Sequence, residues 1–84
     1  LNNQFINIGF GNLVNMDKVI AIVAPDAAPV KRMVQQGKEQ QRVVDATAGR
    51  KTKAVLVCEG ERIILSALGP DTIGKRVMQT GEKE

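Results

Sequence analysis

At 84 residues the chain has room for one small domain with a thin core, which oligomerisation commonly supplements. Its net charge of +3 and pI of about 9.4 suit a polyanionic partner, while the absence of histidine removes the commonest general base and metal ligand. The single cysteine, Cys58, excludes an internal disulfide framework and fits a reducing compartment; no apolar run has signal-peptide or membrane-span form, so a soluble, non-exported, cytoplasmic protein is expected.

Residues 5–8 read as a short strand, closed by the tight turn Gly9-Phe-Gly-Asn12. Residues 13–16 are either irregular or briefly extended. Asp17 leads into a β-branched strand over residues 18–23, which Pro25 ends. Asp26 is placed to cap a helix that tolerates Pro29 in its first turn. Val30, Met33, Val34 and Gly37 fall at i, i+3, i+4 and i+7 and form its apolar stripe, with Gly37 weakening the last turn. Lys31, Arg32, Gln35 and Lys38 lie off that stripe and face solvent. Val43-Val44 is a short apolar piece. A second strand covers residues 53–59, and Gly60 turns it as a hairpin into Arg62–Ser66. Pro70 and Asp71 suit the start of a second helix whose apolar stripe is Ile73 and Val77. Residues 80–84 read as a frayed tail to a single domain over residues 1–79. The fold class is α+β: about five short strands in a mostly antiparallel sheet, with two helices and no internal repeat.

The strands are apolar on both sides. Val19 and Val23 oppose Ile20 and Ile22, and Val55 and Val57 oppose Ala54, Leu56 and Cys58. Such strands need cover on both faces. Two short helices can cover one face, and a second copy of the chain is the simplest cover for the other, so a homo-oligomer is expected. Sandwich-like closure within one chain is the alternative.

The densest chemistry lies in Asp45-Ala-Thr-Ala-Gly-Arg-Lys-Thr-Lys53. Three cations, Arg50, Lys51 and Lys53, follow a glycine that permits a tight turn and run straight into a strand. Cations at a rigid loop-to-strand corner can grip phosphates at fixed geometry; a solvated basic loop is the alternative. The tract is not a nucleotide-hydrolase phosphate loop, because Val44 stands where the first glycine should be and Arg50, not lysine, follows Gly49. Gly9-Phe-Gly-Asn12 lacks the third glycine of a dinucleotide fingerprint and reads as a structural turn. Asp17, Asp26, Asp45 and Asp71 have no metal-site spacing, and each has a local role as cap, turn or ion-pair residue. Cys58 and Ser66 have no histidine to activate them, and Cys58 sits in an apolar strand, where packing is the simpler role. No catalytic constellation, cofactor or metal is expected. Phe5 and Phe10, the only aromatic residues, make a poor base-stacking platform, which counts against single-strand binding.

Three blocks together carry a family resemblance: Phe5-Ile-Asn-Ile-Gly-Phe-Gly-Asn12, Ile22-Val-Ala-Pro-Asp-Ala-Ala-Pro-Val-Lys-Arg32 and Val44-Asp-Ala-Thr-Ala-Gly-Arg-Lys-Thr-Lys-Ala-Val55. The chain resembles the RemA family of bacterial extracellular-matrix regulators over roughly residues 5–77, without obvious gaps. The resemblance implies a sequence-preferring DNA-binding regulator of biofilm-matrix and osmoprotection genes. It also implies a ring-shaped homo-oligomer, an octamer, with duplex DNA along its rim. The family's basic pair matches Arg50 and Lys51, its third cation matches Lys53, and a further basic position matches Lys18. Lysine at 51 and 53 replaces arginine; charge survives but the bidentate fork is lost, which favours phosphate contact over base readout at those positions. Lys31 and Arg32, on the first helix, are further candidate contacts. RNA binding, or a structural or adaptor role toward an acidic partner, are the alternative functions.

Overall fold

A computed structural model describes residues 4–82. Strands β1 (Phe5–Asn7) and β2 (Leu13–Asn15) form an antiparallel hairpin with Ile6 opposite Val14. Strands β3 (Val19–Val23), β4 (Val43–Asp45), β5 (Ala54–Cys58) and β6 (Arg62–Ser66) form a second sheet in the order β3-β5-β6-β4. Pairing is antiparallel between β3 and β5 and between β5 and β6, and parallel between β4 and β6. Helix α1 (Ala28–Glu39) therefore crosses the sheet to join its two outer strands, which run in the same direction. Helix α2 (Pro70–Glu82) follows β6.

The sheet has an apolar layer on each face. On one face, Val30, Met33 and Val34 of α1 pack with Val23 and Val43 against Val55, Ile63 and Leu65. On the other, the β1–β2 hairpin and α2 bring Ile8, Val14 and Ile73 onto Ala54, Leu56 and Cys58. Strand alternation fixes this division, because Val55 and Leu56 point to opposite sides. The two helices thus lie on opposite faces, and the chain lays an apolar layer of its own on each. A second copy is not the sole cover for the second face: the hairpin supplies a layer there, because residues 13–15 form a strand, but Val44, on the same side as Leu56 and Ile64, is left exposed at the β4 edge. The strands number six, in two sheets, and remain mostly antiparallel in an α+β fold.

Two further expectations are corrected. The N-cap of α1 is Ala27 and not Asp26: the first helical bond runs from Lys31 N to the Ala27 carbonyl (3.0 Å), and no side chain caps the end. The last turn of α1 forms despite Gly37, and the helix continues to Glu39. A Cβ there would stand 2.9 Å from Val43 Cγ2 and 3.0 Å from Ile63 Cδ1, so the glycine lets the helix sit close on the sheet. At the other end of the chain, α2 extends through residues 80–82, which the sequence assigned to the tail; Lys83 and Glu84 lie outside the described residues.

Candidate nucleic-acid interface

The basic corner is the loop between β4 and β5, and it is braced along its length. Ala46 N donates to Leu65 O (2.9 Å) at its start, and Lys53 N donates to Ser66 O (2.8 Å) at its end. Asp45 Oδ1 accepts from Thr47 N (2.9 Å) and from Thr47 Oγ1 (2.6 Å), which buries Thr47 under the loop. These two bonds, with a smaller contribution from Lys38, hold the Asp45 carboxyl below its ordinary value, against a small opposing effect of burial. Arg50 N then donates to Thr47 O (3.0 Å) across Ala48 and Gly49, whose φ angles are +54° and +80°. Positive φ at both central residues marks a type I′ turn. The turn leaves Arg50, Lys51 and Lys53 exposed on an anchored backbone.

A second turn of the same kind lies beside it. Asn12 N donates to Gly9 O (3.0 Å), with Phe10 at φ +57° and Gly11 at +77°. The Asn12 side-chain amide donates to Gly9 O (3.0 Å) and to Ala46 O (3.3 Å), tying the β1–β2 hairpin to the basic loop. The Arg50 guanidinium carbon stands 5.5 Å from the centre of the Phe10 ring, within cation–π range. Gly9-Phe-Gly-Asn12 is a structural turn, as the sequence suggests, and it also buttresses the cationic corner.

Helix α1 adds a flank. Lys31, Gln35 and Lys38 line a shallow groove with Pro25 and Thr52, floored by Val34, Val55 and Leu65. Lys31 and Lys38 are seven residues apart, about two turns, so both project from one side of the helix. The sequence offered Lys31 as a candidate contact but not Lys38; their spacing was visible, but the strand end they meet was not. Arg32 is exposed and turned roughly 100° from Lys31, away from this groove. Lys18 does not join the cluster within one chain. It pairs with Glu59 at 3.8 Å, at the end of β5 remote from Lys53. There it edges an apolar cleft of about 550 Å³ lined by Leu13, Val14, Val44, Cys58 and Ile64.

The remaining candidate groups are occupied by structure. Burial pushes the Cys58 thiol up, which disfavours the reactive thiolate. Ser66 Oγ donates to Ile8 O (2.8 Å) and accepts from Leu68 N (3.0 Å), a saturated, fully buried hydroxyl that joins hairpin to sheet. Among the described residues, no three His, Cys, Asp or Glu side chains gather to hold a metal ion, and no helix is long and apolar enough to cross a membrane.

The fold and this surface define a small α+β domain that presents a compact set of cations from the β4–β5 loop and one helix flank, with the β1–β2 turn braced against that loop. The chain belongs to the RemA-like family, extracellular matrix regulatory protein A-like, whose pattern matches residues 5–77. It is 60% identical over 77 residues to a relative from Lachnoclostridium phytofermentans, covering 92% of this chain and 85% of the relative. A relative from Oceanobacillus iheyensis is 43% identical over 82 residues, covering 98% and 95% of the two chains. One from Halalkalibacterium halodurans is 40% identical over 84 residues, covering 100% and 97%. All three are named as regulatory proteins, and a regulatory role is what family and relatives share.

Proposed function

We propose that this protein is a DNA-binding transcriptional regulator, without catalytic activity, that works in the cytoplasm as a homo-oligomeric ring. The observation that carries the reading is the Arg50-Lys51-Lys53 corner, which is exposed yet fixed at both ends and underneath. Cations on an anchored loop suit a ligand whose phosphates are regularly spaced, because little loop ordering is left to the binding step. One chain offers few such contacts. A ring repeats the patch, so that one duplex meets several subunits and binding becomes multivalent. The surface for assembly is the cleft beside β2 and β4, where Leu13 and Val44 line the wall while 62% and 56% exposed. Extracellular-matrix and osmoprotection genes as targets, and eight as the subunit number, come from the family resemblance.

Duplex DNA is favoured over single-stranded nucleic acid because the surface has one aromatic ring among its cations, too few for a stacking platform. Competition of labelled duplex DNA against unlabelled single-stranded DNA, RNA and acidic polypeptide tests the reading. Duplex DNA should displace the probe at the lowest concentration. Stronger displacement by RNA or by acidic polypeptide would replace duplex DNA with that partner.

A further inference from the structure

The turn between β1 and β2 contains a residue that its conformation disfavours. A type I′ turn takes asparagine, aspartate or glycine at its first central position, because φ is positive there. Position 10 is a phenylalanine at φ +57°. Core burial does not explain it, since the side chain is 53% exposed. Single-stranded bases do not need it either, as one ring makes no platform. What the ring holds is Arg50, 5.5 Å from its centre. The neighbouring Asn12 amide, bonded to Ala46 O at 3.3 Å, fixes the turn carrying the ring against the turn carrying the arginine. A strained backbone and an exposed aromatic ring thus converge on one cation of the basic corner, and retained strain of this kind points to function.

We propose that Phe10 is a positioning residue for Arg50, holding the guanidinium over its face so that the N–H fork projects from the paired turns toward a DNA phosphate or guanine edge. The proposal rests on the DNA-binding reading and assigns a role that charge alone does not give. A cation stacked on a ring keeps its in-plane donors available, because the stacking uses the face and not the N–H groups. It also loses rotamer freedom before the duplex arrives. An unstacked Arg50 would have to be ordered during binding, on the order of a two- to tenfold loss of affinity for each subunit engaged. Lys51 and Lys53 would act beside it as point charges.

Three variants test this. Phe10→Asn places an Asn-Gly pair in the turn, which suits the backbone and removes the ring. Phe10→Leu keeps apolar bulk and backbone strain but removes the π face. Phe10→Tyr keeps both ring and face. Each is compared with wild type for oligomer size, for the NMR shifts of the Arg50 side-chain protons, and for affinity to a labelled duplex. The wild-type Arg50 protons should carry an upfield ring-current shift that Tyr retains and that Asn and Leu abolish. With about four subunits engaged, affinity should fall at least about 16-fold in the Asn and Leu variants, with oligomer size unchanged, and stay near wild type in the Tyr variant. Wild-type affinity in either the Asn or the Leu variant would overturn the proposal alone, as would a wild-type Arg50 with no ring-current shift. A wild-type protein that shows the shift yet binds no duplex would overturn the DNA-binding reading and the proposal with it.

Discussion

Asp45 shows how a single side chain can set the geometry of a surface it does not belong to. Its carboxylate accepts both bonds from Thr47 and so fixes the first half of the basic loop. Those bonds favour the charged form and lower its pKa below the ordinary 3.8. A depressed folded-state value means that this stabilisation is complete above the unfolded value and disappears as pH falls through the folded one. Urea unfolding of wild type between about pH 5 and pH 2 should therefore show a loss of stability that Asp45→Asn, which cannot titrate, shows less steeply. Identical slopes in the two proteins would mean that the bonds do not hold the loop in solution. The sequence made part of this site legible. Gly49 beside three cations pointed to an exposed corner, because glycine is what a turn with positive φ needs. It did not reveal Phe10 or Lys38. Their places depend on contacts between distant segments, such as the Asn12 to Ala46 bond, which spans 34 residues.

At the scale of elements, periodicity located β3, β5, β6 and both helices, since each has a pattern long enough to be read. It left β2 open between irregular and extended, because its three residues Leu13, Val14 and Asn15 are too few to show alternation. It also misjudged Gly37. Helix propensity treats this residue as a weakness, with alanine preferred by about 1 kcal/mol. Packing reverses that preference. A methyl group at position 37 would press on Val43 Cγ2 at 2.9 Å, and a β-branched side chain on a strand has little freedom to yield. Overpacking of this kind costs about 1–3 kcal/mol. Gly37→Ala should consequently lower stability by about 1 kcal/mol net in thermal or urea unfolding, despite its better helix propensity. A stabilised variant would show that α1 can lift from the sheet without penalty. The groove between Lys31, Lys38 and Thr52 would then be free to vary in width.

For the whole molecule, the chain lays an apolar layer on each face of its main sheet, and the proposed assembly draws on what those layers leave exposed. The apolar cleft with Leu13 and Val44 is the surface proposed for a second copy, and Lys18 lies on its edge beside Glu59. The basic corner is at the opposite end of β5, roughly 17 Å away for five residues of strand. In the proposed ring, subunits meet through the cleft while the corner stays open to a duplex. The most direct test is the Arg50→Ala/Lys51→Ala double variant, measured by fluorescence anisotropy on a labelled duplex across a salt series, with ultracentrifugation of the same samples. If about four subunits each contribute two phosphate contacts, the wild-type slope of log affinity against log salt is roughly −7. The double variant should lose tight binding and show a much flatter slope, while each exposed side chain costs no more than about 0.5 kcal/mol of stability and the oligomer persists. Wild-type affinity and slope in the double variant would contradict the account and move the DNA surface elsewhere, and loss of binding together with loss of the oligomer would make Arg50 and Lys51 assembly residues instead.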